Sequence, residues 1–117
     1  MAKVVTIEFN EWSKMRLLYG SKRATSRRRR KGQVGDVFIV SFDKGLDNDC
    51  PFSKTYKIKH IEHVSLGFVA DHFYAMEGAM TPGEFIDVWN QIHPRKTFEK
   101  NQKVYLHVFD NDTNIYS

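Results

Sequence analysis

Several kinds of functional site are excluded by what this sequence lacks. It contains a single cysteine, Cys50, so neither an internal disulfide nor a zinc site with several cysteines can form. The zinc deaminase pattern fails for the same reason. The motifs GxxxxGK[ST], GxGxxG and GxSxG are also absent, and nothing supports a nucleoside triphosphatase, a dinucleotide enzyme or a nucleophile-elbow hydrolase. We therefore predict no metal and no cofactor.

Long apolar runs are missing too, and the first residues lack the apolar stretch of a secretory signal. A membrane-spanning helix needs about 20 consecutive apolar residues, so none is expected. The scarcity of cysteine is typical of a reducing compartment. These absences predict a cytoplasmic protein with no membrane partner, and they leave the oligomeric state open.

Aromatic side chains, in contrast, are plentiful. Nine Phe, five Tyr and two Trp, within an apolar fraction of 41%, supply the core of one domain that we place over residues 1–117. Alternation and capping patterns predict the element order β-α-β-β-β-α-α-β. This order predicts an α+β fold in which a small mixed or antiparallel β-barrel is flanked by helices.

Local signals set the expected bounds of these elements. Four of the five strands have predicted bounds, at 5–9, 37–42, 56–66 and 104–109, and the apolar strand 37–42 is expected to be covered on both faces. Asn10 and Gly20 bound the first helix, and a short helix is expected over 68–76. The sequence TPGE from Thr81 is a capping box that opens a helix ending at His93-Pro94. The stretch 45–51 is predicted to be a loop.

Positive charge is concentrated in the first half of the chain. Residues 1–59 hold 14 Lys and Arg against 6 Asp and Glu, whereas residues 60–117 hold 4 against 8. Seven of the ten residues from Lys22 to Lys31 are cationic, and such crowding is costly unless an anion binds. The guanidinium fork matches phosphate oxygens. We predict phosphate contacts from Arg23, Arg27, Arg28, Arg29, Arg30 and Lys31.

Two other interpretations of the basic run stay open. A charge run is often only a solvated face or a flexible loop, and basic clusters also serve as nuclear targeting signals. Aromatic side chains matter for the binding interpretation because unpaired bases stack on them. We predict a cleft wall formed by Tyr56, Phe73 and Tyr74, although each of these residues also suits the core.

Several segments, taken in order, resemble one family. GSKRATSRRRR at 20–30, GQVGDVFIV at 32–40, AMEG at 75–78 and KVYLHVF at 103–109 are similar to motifs of the ASCH family. The resemblance implies a PUA-like β-barrel with a cleft between the barrel and the helices. It also implies RNA binding or RNA processing, with RNA, another nucleic acid or a modified nucleoside as the partner.

One branch of the family removes the acyl group from acetylcytidine. The resemblance implies that Lys22, Thr25 and Glu77 match the catalytic lysine, threonine and glutamate of that branch, and that Arg27 matches an arginine of the same motif. This chain departs from the branch because Arg28, Arg29 and Arg30 follow the threonine, where apolar or small residues are usual. A longer polyanion is therefore an alternative to a free nucleoside, and a ribonuclease role is a third alternative.

The spacing of Lys22 and Thr25 sets a geometric condition. In a regular strand, residues three apart face opposite sides of the sheet. The two side chains can share a site only if the chain after Gly20 bends or bulges before the strand begins. Under that condition a neutral Lys22 amine could take the proton of the Thr25 hydroxyl, and nearby positive charge or burial would favour the neutral form.

Overall fold

In the residues that the computed structural model describes, 2–43 and 50–112, four strands curl into a half-barrel accompanied by three helices. The order across the sheet is β1-β4-β3-β2, and each neighbouring pair is antiparallel. The predicted α+β class is therefore confirmed. In chain order the elements are α1 (Glu11–Tyr19), β1 (Ala24–Arg27), β2 (Val37–Phe42), β3 (Phe52–Ser65), α2 (Leu66–His72), α3 (Pro82–Ile92) and β4 (Lys103–Asn111).

The capping signals of α1 and α3 are confirmed. The Asn10 side chain accepts a hydrogen bond from the Ser13 amide at 2.9 Å, and Gly20 ends α1 with a left-handed φ of 84°. The Thr81 hydroxyl accepts from the Glu84 amide at 3.0 Å. The Glu84 carboxylate accepts from the amide of Met80, one residue before the partner that a standard capping box uses.

The predicted first strand at 5–9 is wrong. One isolated parallel bridge joins Val4 to Val37, and the Val5 amide donates to the Val37 carbonyl at 2.8 Å. Ile7 is nevertheless buried, and Phe9 packs beside it in the same core cluster. The alternation therefore records which side chains are buried, although the backbone of this segment pairs with no neighbouring strand over its length.

Strand β2 has the predicted bounds, but only one of its faces is covered. Phe38, Val40 and Phe42 are buried, whereas Ile39 is 53% exposed. The expectation of a strand covered on both faces is wrong because no helix packs over the face that carries Ile39 and Ser41 in the described residues. The predicted loop at 45–51 falls mostly on 44–49, which lie outside the described residues.

Two hydrophobic clusters hold the sheet and helices together. One contains α2, α3 and the ends of β1 and β4, with Leu66, Val69 and Val104 all fully buried. The other joins β2, β3 and β4 to α1 through Phe38, Phe109 and other side chains. Within residues 2–43 and 50–112, no helix is long and apolar enough to cross a membrane.

Candidate functional site

A cavity of about 120 Å³ opens between α1, β1, α3 and the turn that follows α2. This volume could hold several water molecules, since one water needs about 10–15 Å³. The wall combines aromatic rings with buried polar side chains. The lining includes Phe9, Trp12, Lys22, Thr25, Ser26, Arg27, Glu77, Trp89 and His93.

The turn after α1 places Lys22 in this cavity. Gly20 adopts the left-handed conformation, and the amides of both Ser21 and Lys22 then donate to the carbonyl of Arg16, at 3.0 and 3.1 Å. The chain therefore bends around the end of α1 before β1 begins at Ala24. This bend meets the geometric condition that the spacing of Lys22 and Thr25 imposes.

The position of β1 explains why its neighbouring residues reach the same cavity. It is one of the two edge strands of the sheet and pairs only with β4 among the described strands. Thr25 and Arg27 leave it on one face and Ser26 on the other, and all three line the cavity. Side chains from both faces of an edge strand can meet where no further strand covers that edge.

The turn that carries Glu77 is fixed from two sides. The carbonyl of Met76 accepts from the amides of Arg23 and Ala24, at 2.6 and 2.9 Å. On the other side, the Arg16 guanidinium donates to the carbonyl of Gly78 at 3.2 Å. Gly78 has a φ of 101°, and a β-carbon there would approach the Arg16 side chain to 3.2 Å. Glycine is therefore required beside Glu77.

Lys22, Ser26 and Glu77 form a buried polar cluster. The Lys22 ammonium donates to the Glu77 Oε1 at 3.1 Å and to the Glu77 carbonyl at 2.9 Å. The Ser26 hydroxyl donates to the other carboxylate oxygen, Oε2, at 2.6 Å. Lys22 is 5% exposed and Glu77 is 4% exposed. Both carboxylate oxygens thus have a donor, as a buried carboxylate requires.

Burial lowers the pKa of the Lys22 ammonium. The Glu77 carboxylate opposes this shift, and the positive charges of Arg27 and Arg16 add to it, leaving the pKa below that of a free lysine. A buried lysine whose charge is partly disfavoured is more readily deprotonated than one in water. The cluster therefore contains a group that can exchange a proton.

Thr25 and Arg27 form a second polar pair at the cavity. The Arg27 Nε donates to the Thr25 hydroxyl oxygen at 3.1 Å, and its Nη2 donates to the Glu8 carbonyl at 2.6 Å. The guanidinium carbon also lies 5.1 Å from the centre of the Phe9 ring. Arg27 is consequently held in place by three neighbours, and its charge faces the cavity.

The three aromatic residues predicted to form a cleft wall, Tyr56, Phe73 and Tyr74, do not line this cavity. Tyr56 is buried and stacks on Phe38 at 5.3 Å between ring centres. Phe73 and Tyr74 pack on the core cluster under α2 and α3. All three residues therefore pack in or against the hydrophobic core, which was the alternative prediction for each of them. The aromatic residues of the cavity wall are Phe9, Trp12, Phe85 and Trp89.

The basic segment divides into parts with different surroundings. Arg27 lines the cavity, while Arg28, Arg29 and Arg30 are exposed. Burial lowers the pKa of His93, a cavity residue, and the positive charges of Arg28 and Arg27 lower it further. The exposed arginines thus continue directly from the cavity-lining Arg27 along the chain.

The remaining cations of the segment lie elsewhere. Arg23 lines a separate, smaller cavity together with Tyr56. Lys31 is tied to the sheet, because its amide donates to the His107 Nε2 at 2.9 Å. His107 is fully buried in β4, and its Nδ1 lies 3.2 Å from the Thr25 carbonyl. His107 is thus a buried histidine with a hydrogen-bond partner at each ring nitrogen.

Five of these site residues escaped the sequence-based prediction: Phe9, Trp12, Ser26, Trp89 and His93. Ser26 adjoins Thr25, so its proximity could have been noticed once β1 was known to be an edge strand. The two tryptophans and His93 lie on helices α1 and α3 or at their ends. Only the packing of those helices brings them to β1, and no local pattern reports that packing.

Comparison with known proteins supports the fold. No family model matches this chain, and no curated protein matches its sequence. An ASCH domain of Lactobacillus crispatus JV V101 is 17% identical, with a TM-score of 0.59 over 93% of this chain and 78% of that one. An Enterococcus faecalis V583 protein described as DUF984 is 14% identical, with a TM-score of 0.61 over 99% and 80%.

A third solved structure, of a hypothetical protein, is 20% identical and has a TM-score of 0.57. It covers 96% of this chain and 100% of its own. At these identities the likeness is one of fold. The chain therefore has the fold of an ASCH domain, as its motifs predicted.

Proposed function

We propose that this ASCH-like domain binds single-stranded RNA, with one base in the cavity and the adjoining phosphates on the basic segment. The observation that carries the proposal is that Arg27 lines a cavity walled by aromatic rings and is followed directly by the exposed Arg28, Arg29 and Arg30. Stacking of unpaired bases on aromatic rings and contacts between arginine and phosphate are the two main interactions of single-stranded nucleic acid binding.

The cavity offers both kinds of contact that a base needs. Phe9, Trp12 and Trp89 provide ring faces, and each base has a π-face that can stack. At the polar end, Ser26 and Glu77 provide oxygens that can meet the edge of a base. A base is therefore the part of a nucleotide that fits inside, and the charged phosphate stays at the arginines.

The exposed arginines supply the electrostatic part of the binding. In the described residues, none of Arg28, Arg29 and Arg30 forms an ion pair with a carboxylate. Arg30 donates to the Gly32 carbonyl through its Nε, which leaves its other guanidinium donors for a ligand. Unpaired guanidinium groups beside a cavity attract phosphate without first breaking an internal ion pair.

We expect the combined substitution Arg28→Ala, Arg29→Ala and Arg30→Ala to weaken RNA binding and its salt dependence. For single strands, the slope of log K against log salt is about 0.7 per phosphate contact, so three lost contacts lower it by about 2. Fluorescence anisotropy with an RNA of about ten nucleotides, at about 50 to 200 mM salt, measures this slope.

A matched variant removes the same charge elsewhere. Lys3, Lys59 and Lys100 are all exposed, and their joint substitution with alanine should leave the slope nearly unchanged. If both triple variants lower the salt slope by the same amount, RNA binding depends only on the net charge of the protein. Wild-type affinity that does not vary with salt would refute the proposal.

A second candidate function is the hydrolysis of an acylated cytosine nucleoside. The observation that favours it is that Lys22, Thr25 and Glu77 all line one cavity, with Lys22 and Glu77 in direct contact. Amide hydrolysis requires a nucleophile, a proton acceptor and a donor for the oxyanion. A hydroxyl, a carboxylate paired with a perturbed lysine, and the Arg27 guanidinium can fill these three roles.

The chemistry can be written with these residues alone and one water. The oxygen of a cavity hydroxyl, from Thr25 or Ser26, bonds to the acyl carbon while Glu77 or neutral Lys22 accepts its proton. The proton passes to the cytosine amine, which leaves as the carbon–nitrogen bond breaks. Water then cleaves the ester, releasing the carboxylic acid and restoring the hydroxyl. Chromatographic assay of acetylcytidine with wild-type protein tests this candidate, and absence of cytidine refutes it.

A further inference from the structure

A pair of stacked rings lies on the surface of the sheet, outside the cavity. The rings of His63 in β3 and Tyr105 in β4 are nearly parallel, with an interplanar angle of 4° and 4.3 Å between their centres. His63 is exposed and Tyr105 is half-buried. Neither ring belongs to the two hydrophobic clusters of the core, so the pair contributes nothing to those clusters.

The strand register connects this ring pair to the cavity. Tyr105 is directly opposite Arg27 in β1 and directly opposite His63 in β3. Residues directly opposite each other project from the same face of a sheet. Arg27, Tyr105 and His63 therefore form one row across three strands. Since adjacent strands are about 4.8 Å apart, the row extends roughly 10 Å from the strand that lines the cavity.

The face that carries this row is basic. Alternate residues of β4 share it, which adds Lys103 beside Tyr105, and Lys103 is exposed. The basic segment also folds toward this face, because the Lys31 amide donates to the ring of His107, two residues from Tyr105. No Asp or Glu occupies a position on this face in β1, in residues 103–107 of β4 or in residues 61–65 of β3. Glu62 occupies the opposite one.

We propose that the His63–Tyr105 pair is a second base-stacking site for the same RNA strand. It would bind the base of a nucleotide neighbouring the one in the cavity, while Arg27 to Arg30 and Lys103 contact the phosphates on both sides. This inference rests on the proposed RNA binding and adds a path for the strand across the sheet. Flat, stacked rings that share their sheet face with Arg27 and Lys103 suit a nucleobase flanked by phosphates.

Comparison of a mononucleotide with an oligonucleotide separates this site from the cavity. We expect Tyr105→Ala to weaken binding of a single-stranded RNA of about ten nucleotides by roughly 5- to 150-fold, the range for one lost base stack. Binding of cytidine monophosphate should change little, because the cavity is intact. Tyr105→Phe retains the stack and should bind the RNA like wild type, whereas His63→Ala should reproduce part of the loss.

Tyr19→Ala is the matched control, since Tyr19 is a 64% exposed tyrosine on α1, outside the sheet that carries the two rings. Circular dichroism melts show whether each variant is folded. If wild type binds the RNA and Tyr105→Ala binds it equally well, the second stacking site is refuted while RNA binding stands. If Tyr105→Ala weakens both ligands equally, the ring pair acts through the cavity and the second site is again refuted. If wild type binds neither ligand, the proposed function itself fails.

Discussion

Replacing Lys22 with methionine should lower the free energy of unfolding by about 3–5 kcal/mol, because it leaves the Glu77 carboxylate buried without its cationic partner. The ammonium provides donors to the Glu77 Oε1 and to the Glu77 carbonyl, and a methionine of similar length provides none. Among the hydrogen bonds of residues 2–43 and 50–112, the one from the Ser26 hydroxyl to the carboxylate would remain. Urea denaturation followed by circular dichroism measures this change.

Two comparisons make the cause specific. The Glu62 carboxylate lies 2.8 Å from the His60 Nε2 at the exposed surface, and Glu62→Gln should change the stability by less than about 1 kcal/mol. The double variant Lys22→Met with Glu77→Leu removes both charges and should recover much of the lost stability, because no buried charge stays unpaired. A Lys22→Met protein as stable as wild type would show that the buried pair contributes nothing net.

The largest kinetic effect is expected at Glu77, if the purified protein converts acetylcytidine to cytidine. Glu77→Gln preserves the size of the side chain but removes the proton acceptor, so kcat should fall by about 10²–10⁴-fold. The assay follows cytidine by chromatography, and a melting curve confirms that the variant is folded. Turnover that is unchanged in Glu77→Gln would exclude Glu77 as the proton acceptor.

The same assay can identify the nucleophile. The Ser26 hydroxyl already donates to the Glu77 Oε2 at 2.6 Å, whereas the Thr25 hydroxyl oxygen accepts from Arg27. The family resemblance implies Thr25, and the hydrogen bond to a carboxylate favours Ser26. Loss of turnover in Thr25→Ala alone would support the first assignment, and loss in Ser26→Ala alone would support the second. Thr25→Ser, which retains a hydroxyl, is the control for packing effects.

The parts of the fold that the sequence could predict are those fixed by local chemistry. Helix ends at Asn10, Gly20 and Thr81 follow from which residues can accept the free amides or adopt a positive φ. The strand predicted at 5–9 failed because alternation reports burial, and burial does not require a paired backbone. Backbone pairing requires a partner strand, and among the described residues Val37 is the only one that forms a β-bridge with this part of the chain.

The candidate site was only partly predictable for a similar reason. Family likeness indicated Lys22, Thr25 and Glu77, and the structure brings all three to one cavity. Their chemical roles stay predictions. The tryptophans of the wall could not be predicted, because α1 and α3 approach β1 only through long-range packing. Composition likewise predicted that aromatic residues matter, but it could not separate Trp89 from the core residue Tyr56.

Because β1 is an edge strand, the number of residues between α1 and β1 determines which of its side chains reach the cavity. An added or deleted residue between Gly20 and Ala24 would have two ways to be accommodated. Either the change would be absorbed in the turn before β1, for example as a bulge, or β1 would slip by one position against β4. Such a slip moves every side chain of the strand to the opposite face of the sheet. A slip would send Ser26 to the face of Thr25 and turn Ala24, which is fully buried, out of the core. We therefore expect related chains with this site to vary in the identity of residues 21 and 23 far more than in their number.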